Sequence, residues 1–359
     1  MYIILIGFFF VSWISQKPFL FIPCTFDKLV CIIVSVRNEE TNLPHLLQSL
    51  ENQTYPENKI EIILVDDHST DASLKLMKQF SEKKNNARCI TMSDGRAGKK
   101  NAIRLAISLS AAELIITTDA DCSMNPDWLA TIVSFREKTK ASLIIGPVAY
   151  HFNNSFFSKM QALEFASLIA SGAGSAYLGR PIMCNGANLA FLKSEYPMDE
   201  NSLAFDSPSG DDIFLLQYLK SINRSSIKFL KSPESIVYTI PSANLPEFIN
   251  QRKRWFSKSS LYTDYEILGT GFIVACASFS LMLALLLCLF GAASWTNLLW
   301  LFIAKLAADM IFIYSFLGFI KSKKLLWLAP ILEILYPFYI FYTMVSSCVG
   351  MYIWKERKY

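Results

Sequence analysis

The run Leu29-Val30-Cys31-Ile32-Ile33-Val34-Ser35-Val36 ends in Arg37-Asn38-Glu39-Glu40, and Ile60-Glu61-Ile62-Ile63-Leu64-Val65 ends in Asp66-Asp67-His68-Ser69-Thr70-Asp71. Each is a short β-branched stretch that stops abruptly at charge, which predicts a buried strand entering a polar loop. Arg88 to Met92 and Glu113 to Thr118 repeat the pattern, and the second of these runs into Asp119-Ala120-Asp121-Cys122. Between the runs, apolar residues fall at helical spacing: Leu43, Leu46, Leu47 and Leu50; Leu74, Met77 and Phe80; Ala102, Leu105, Ala106 and Leu109. Strand and helix alternate. The prediction is an α/β fold with a mostly parallel, Rossmann-like sheet, helices on both faces, and a ligand site at the carboxyl ends of the strands.

Composition divides the 359 residues further. The chain is 52% hydrophobic and only 18% charged, against roughly 25% charged in soluble domains, so it is no disordered protein and part of it belongs in lipid. Its net charge of +4 is too small and dispersed for nucleic acid and suits anionic lipid. No charged residue occurs from Ile267 to Ala304, which predicts two helices meeting near Trp295-Thr296-Asn297; the second carries Lys305 and Asp309, four apart on one face. Leu325 to Trp354, interrupted by Pro330, Glu333 and Pro337, is a third apolar stretch. Residues 1–23 are expected to be an N-terminal membrane anchor, 28–262 a soluble-looking domain, and 267–354 a membrane region of two to three helices. Arg252, Lys253, Arg254 and Lys258, and then Lys321, Lys323 and Lys324, belong on the cytoplasmic side. Lys355, Arg357 and Lys358 break that rule if the third stretch crosses once. The eight cysteines (24, 31, 89, 122, 184, 276, 288, 348) form no metal-like or disulfide-like spacing, and are expected to be reduced thiols in a cytoplasmic or bilayer setting.

The polar clusters all fall at predicted strand ends. Adjacent carboxylates at Asp66 and Asp67 repel unless hydrogen bonds or charge meet them there; a nucleotide's base and ribose would do so. Ser69, Thr70 and Asp71 suit a helix start. In Asp119-Ala120-Asp121 two carboxylates separated by one residue can face a hard cation, completed by phosphate oxygens and water. Gly95-Arg96-Ala97-Gly98-Lys99-Lys100-Asn101 offers glycine-freed backbone and two cations to phosphate.

The ordered set V-S-V-R-N-E-E, V-D-D-H-S-T-D, G-K-K-N-A-I, D-A-D-C, G-A-N-L-A-F, G-D-D-I-F-L-L and Q-R-K-R-W resembles the family 2 inverting glycosyltransferases of GT-A fold, over about residues 28 to 262. The resemblance implies that Arg37, Glu39, Asp66 and Asp67 contact the nucleotide's base and ribose. Lys99 then lies near the diphosphate, Asp119 near the ribose and Asp121 on the metal. Asp212 takes the position of the catalytic base, with Asp211 beside it where the family more often has Glu. Ser207 and Ser209 with the two Asp also suit a plain helix start. Gln251, Arg254 and Trp255 match the Q-x-x-R-W motif, the first two toward the diphosphate and the indole as a flat platform for sugar or acceptor. An amphipathic basic helix at the membrane surface is compatible with the same residues.

The implied activity is metal-dependent transfer, with Mg or Mn, from a nucleotide sugar to a lipid or lipid-linked acceptor. A UDP-sugar is expected ahead of a GDP-sugar. The expected place is an integral membrane protein with a cytoplasmic catalytic domain, in the inner membrane if bacterial. The expected partners are the bilayer, the nucleotide sugar and a lipid or glycan acceptor, without nucleic acid. A processive polysaccharide synthase is the rival enzyme, and a membrane scaffold with a degenerate nucleotide-binding domain the rival without catalysis.

Overall fold

A computed structural model describes the backbone of every residue except 22–26, 96, 200–201, 204–208, 350–352, 355–356 and 359, and the side chains of those described residues up to Ser347. In chain order the elements begin with helix α1 (Tyr2–Ser15), followed by β1 (Val30–Val36), α2 (Leu43–Glu51), β2 (Ile60–Asp66), α3 (Ser73–Lys83), β3 (Ala87–Thr91), α4 (Lys99–Leu109) and β4 (Leu114–Asp119). Next come β5 (Ser123–Met124), α5 (Trp128–Thr139), β6 (Leu143–Ile145), β7 (Val148–Tyr150), α6 (Phe156–Tyr177), β8 (Leu189–Leu192), α7 (Asp211–Asn223), β9 (Ile227–Phe229) and β10 (Val237–Thr239). Helices α8 (Leu245–Ser257), α9 (Tyr265–Leu289), α10 (Trp295–Phe319) and α11 (Ala329–Val349) follow, and the antiparallel pair β11 (Ile353–Trp354) and β12 (Arg357–Lys358) ends the order. The chain divides into two compact units, one made of Lys17–Ala149 and Cys184–Ile240, the other of Met1–Gln16, Tyr150–Met183 and Pro241–Tyr359. The domain read from sequence as continuous over 28–262 is therefore cut differently in space, since α6 and α8 group with the apolar helices.

The first unit is built on a sheet of order β3-β2-β1-β4-β8-β6-β9. Strands β1, β2, β3 and β4 are parallel, as the alternation with helices predicts, whereas β8 runs antiparallel to both β4 and β6. The sheet is thus mixed, its parallel half holding the strand ends read from sequence. In α2 the predicted stripe Leu43, Leu46, Leu47 and Leu50 is buried, with a proline in the first turn where its missing N–H costs nothing. In α4 the buried face is Ala102, Ile103, Ala106 and Ile107, while the expected Leu109 is 45% exposed. The helix is turned by about one residue, roughly 100°, which puts two branched isoleucines in the core. Asn188 fixes the far side of the sheet: its amide donates to the Pro147 and Ser235 carbonyls at 2.8 Å each and accepts the Trp128 indole N–H at 3.0 Å.

In the second unit, α9, α10 and Lys323–Ser347 are each 25 residues long and apolar enough to cross a membrane. Helix α1, at 14 residues, is shorter than a straight crossing needs, and it packs inside this unit. Gly174 of α6 lets it approach, because a Cβ there would sit 2.7 Å from Phe9 Cβ, and Ser12 Oγ donates to the Gly174 carbonyl at 2.7 Å. Trp13 meets Phe316 and Phe319, both at 5.3 Å between centroids. Lys305 lies 2.9 Å from Asp309, the pair read from sequence, and 2.7 Å from Glu333 of α11. The Tyr2 hydroxyl donates to Asp309 at 2.6 Å. Three helices are thereby joined through charges that would be costly if left alone in an apolar bundle. Cys31, Cys89, Cys122, Cys276 and Cys288 are unbridged thiols; the side chains of Cys24 and Cys348 fall outside the described residues.

Candidate active site

Register brings three polar strand ends into line. Val36 pairs with Asp66 and Ser35 with Asp119, so Arg37 and Asp67 follow side by side at the carboxyl edge of the parallel strands, and Ala120 comes level with Val36 one residue before them. The first two loops are knitted together. Asn38, at φ 49, accepts the Thr70 amide at 2.8 Å; Glu40 accepts that of Ala72 at 2.9 Å. Asp71 accepts the amides of Glu40 at 3.0 Å and Ser73 at 2.9 Å. Burial would raise the Asp71 carboxyl, but the hydrogen bonds from Ser73 and Glu40 hold it below its ordinary value. Ser69 does not cap α3; its hydroxyl accepts the Asn38 amide at 3.2 Å, and Ala72 stands at the N-cap.

Arg37 donates to the carbonyls of Asp67 at 2.7 Å and His68 at 2.9 Å, bracing the second loop. Glu39 accepts the Asn42 amide group at 2.8 Å. Asp66 and Asp67 are each 1% exposed. Their partners are amides of the chain itself: Ser69 N to Asp66 at 3.2 Å, and Gly98 N to both oxygens of Asp67 at 3.1 Å. The hydrogen bonds that sequence reasoning assigned to a nucleotide are therefore already supplied in part by the loop. Gly98, at φ 95, adopts a conformation in which a side chain would be strained.

Lys99, the first residue of α4, lies 2.5 Å from Asp119 and 3.6 Å from Asp211. Burial alone would lower its ammonium, but Asp119, Asp211 and Asp212 outweigh that and hold its pKa above the ordinary value. Gly186 is the pivot of this group. A Cβ there would meet Lys99 Nζ at 3.0 Å and Asp211 Oδ2 at 3.1 Å. Its carbonyl accepts the Thr117 hydroxyl at 2.9 Å and its amide donates to Asp212 Oδ2 at 3.1 Å. The Ile213 amide donates to Asp212 Oδ1 at 2.7 Å. Gly210, at φ 92, is the N-cap of α7; Ser207, offered above as a capping residue, lies outside the described residues. Lys100 departs from the expected pair of phosphate-facing cations. It is 4% exposed, donates to the Leu203 carbonyl at 3.0 Å and lies 4.6 Å from the Phe214 ring centre. Arg96 lies outside the described residues.

Asp121 accepts the Thr239 hydroxyl at 2.9 Å. Burial, with Asp119 and Glu39 nearby, pushes its carboxyl up to about 6. Such a shift marks negative charge with too little to offset it, the situation a divalent cation relieves. Among the described residues no group of three or more His, Cys, Asp or Glu is arranged to hold a metal. A cation would thus take one or two carboxylates here and complete its sphere with phosphate oxygens and water, as Mg²⁺ does. The residues fit such an ion.

Gln251, Arg254 and Trp255 lie on α8, in the other unit. One face of Trp255 is covered by the Arg252 guanidinium, 4.1 Å from the ring centre, so the expected platform has at most one open face. Sequence reasoning passed over Thr117 and Thr239, and gave Arg252 no part in the site beyond its place in the basic cluster. Thr239 reaches Asp121 from 118 residues away, a distance across which no local pattern carries a signal.

The family model described as "Glycosyl transferase family 2" matches residues 31–196, and that described as "Glycosyl transferase family group 2" matches residues 114–352. The chain belongs to glycosyltransferase family 2. This family 2 chain is 32% identical over 125 residues to Glycosyltransferase AglE of Haloferax volcanii, covering 35% of the chain and 41% of that protein. It is 28% identical over 153 residues to undecaprenyl-phosphate 4-deoxy-4-formamido-L-arabinose transferase of Proteus mirabilis, covering 42% and 46%. It spans less than half the length of these two relatives. A solved mannosyltransferase of Pyrobaculum calidifontis, in complex with GDP-Man and Mn²⁺, superposes with a TM-score of 0.56 at 16% identity, covering 93% of this family 2 chain and 99% of that one. That likeness concerns the fold, which is GT-A.

Proposed function

We propose that the chain is a membrane-associated glycosyltransferase that moves a sugar from a nucleoside-diphosphate sugar to a lipid or lipid-linked acceptor, with inversion, at the cytoplasmic face. The observation that carries the reading is the cluster around Gly186, where Lys99, Asp119, Asp211 and Asp212 gather beside the strand end bearing Asp121. Asp212 takes the proton of the acceptor hydroxyl as general base, its carboxylate oriented by the amides of Gly186 and Ile213. The acceptor oxygen attacks the anomeric carbon in line, and the nucleoside diphosphate leaves with the bonding electron pair. One displacement inverts the configuration. Lys99, kept charged by its carboxylates, stabilises the negative charge that grows on the leaving group. A divalent cation held by Asp121 supplies further neutralisation of the diphosphate. Arg37, Glu39, Asp66, Asp67 and Asp119 form the nucleoside side of the site, and Gln251, Arg254 and Trp255 act on diphosphate and acceptor as the motif implies.

Support for the substrates comes from the relatives: one is named for transfer to undecaprenyl phosphate, and the superposed mannosyltransferase binds GDP-Man with Mn²⁺. The three helices long and apolar enough to cross a membrane support a lipid acceptor. The test incubates the membrane-embedded chain with UDP- and GDP-sugars, Mg²⁺ or Mn²⁺ and a lipid extract, followed by mass spectrometry. The expected product is a lipid heavier by one or a few sugars, with a UDP-sugar the better donor. A ladder of long products would favour the polysaccharide synthase. No release of nucleoside diphosphate from any donor would leave only the scaffold reading.

A further inference from the structure

Helix α8 carries Gln251-Arg252-Lys253-Arg254-Trp255, and of the two residues that the motif leaves unspecified, Arg252 and Lys253, Arg252 is buried, at 3% exposure. Its guanidinium makes three kinds of contact at once. One nitrogen pairs with the Glu164 carboxylate of α6, itself buried. Another donates to the Gln251 side-chain oxygen at 2.8 Å, and the flat face lies 4.1 Å from the Trp255 ring centre and 4.6 Å from that of Phe248. Tyr339 of α11 donates to the second Glu164 oxygen at 3.5 Å.

A buried ion pair gains little net stability, because desolvating two charges offsets most of their attraction, and an apolar pair of similar volume often does as well. Glu164 sits amid Leu163, Phe165 and Ala166, all buried, where an apolar side chain would pack. What an apolar pair would lack is the planar fork, which orients an amide with one edge and an aromatic ring with its face; an ammonium lacks it too.

We infer that Glu164 and Arg252 are positioning residues for the transfer reaction: Glu164 holds the Arg252 guanidinium in one plane, and Arg252 fixes the amide of Gln251 and the indole of Trp255. This rests on the function proposed above. Two variants of the full chain in membranes test it. Exchanging the pair, Glu164→Arg with Arg252→Glu, restores opposite charges but removes the contacts that Arg252 makes to Gln251 and Trp255. Arg252→Lys keeps the charge facing Glu164 and loses the fork.

The exchanged pair is expected to regain the thermal midpoint lost in either single variant while kcat for transfer stays about tenfold or more below wild type. Arg252→Lys is expected to melt close to wild type with the same loss of kcat, and with donor KM changed less than about threefold. Wild-type kcat in the exchanged pair would show that the ion pair only holds the fold and would overturn the inference. Wild-type kcat in Arg252→Lys would do the same, and that variant decides alone if the exchanged pair does not fold. If the unaltered chain neither transfers sugar nor releases nucleoside diphosphate, the transferase reading itself fails and this inference falls with it.

Discussion

The Gly186 amide donates to Asp212 Oδ2 at 3.1 Å while the space above Gly186 is closed by Lys99 Nζ and Asp211 Oδ2, each near 3 Å from where a Cβ would stand. A single glycine therefore faces the proposed base and the proposed diphosphate-side cation together. The β4 hydroxyl of Thr117 holds it there.

For Asp212→Asn, transfer is expected to fall by roughly 10²-fold or more, the scale for losing a positioned base. Donor affinity should persist, because Lys99 and Asp121 are untouched. Asn offers one acceptor oxygen to two amides, so a stability loss of about 1 kcal/mol accompanies it. Single-turnover transfer measured beside donor binding checks this; wild-type transfer would remove Asp212 as the base.

Gly186→Ala places a methyl group against Lys99 and Asp211. Lys99 can yield by a few tenths of an ångström at the cost of its contact with Asp119 at 2.5 Å. The fold should survive with a thermal midpoint near wild type, and transfer should drop by about tenfold, on the order of 1.4 kcal/mol of transition-state stabilisation. Unchanged kinetics would separate Gly186 from catalysis.

The pH dependence of Asp121 has a definite sign. Its carboxyl rises from 3.8 to about 6 on folding. The protonated form therefore favours the folded state below pH 3.8, and that support is lost as pH rises through about 6. Asp121→Asn should then raise the melting midpoint of the metal-free protein at pH 7.5, with the gain shrinking toward pH 4. Mn²⁺ should raise the wild-type midpoint above pH 6 and leave the variant unmoved. An equal Mn²⁺ effect on both would place the cation elsewhere.

Asn188→Ala removes a side chain that serves Trp128, Pro147 and Ser235 in the core. The Trp128 indole N–H and the Ser235 carbonyl are left unmet, each costing about 1–3 kcal/mol, while the Pro147 carbonyl keeps the Val237 amide at 3.1 Å. A loss of about 2 kcal/mol or more is expected in denaturant titration. A loss under about 1 kcal/mol would mean that water replaces the amide.

Lys305→Met leaves Asp309 and Glu333 facing each other without their cation. Breaking a buried pair from one side costs about 3–5 kcal/mol, so the thermal midpoint in a bilayer should fall. Adding Glu333→Gln to Lys305→Met should recover part of the loss. Failure to recover would show that the lysine's packing, and not its charge, matters.

How much was legible in sequence follows from the range of each interaction. The four parallel strands were legible because β-branched runs ending in charge report local burial and local loop chemistry; Val30–Val36 and Ile60–Asp66 fall within a residue of where they were read. The stripe of α2 was legible for the same reason. In α4 the choice between Leu105 and Ile103 was not, since both stripes are amphipathic and only the sheet beneath selects one.

The sequence by itself determined the strand-end acidic loops, the order of the motifs, the charge-free stretch from Ile267 and the glycines that loops require, because each depends on residues a few positions apart. Tertiary structure alone decided that β8 runs antiparallel, that Lys100 turns inward to Leu203, that Thr239 comes to Asp121, and that Arg252 meets Glu164 across 88 residues. It also decided that α6 and α8 group with the apolar helices. Burial and buried hydrogen bonding are satisfied wherever the folded chain supplies a partner, and the separation along the chain places no limit on which partner that is.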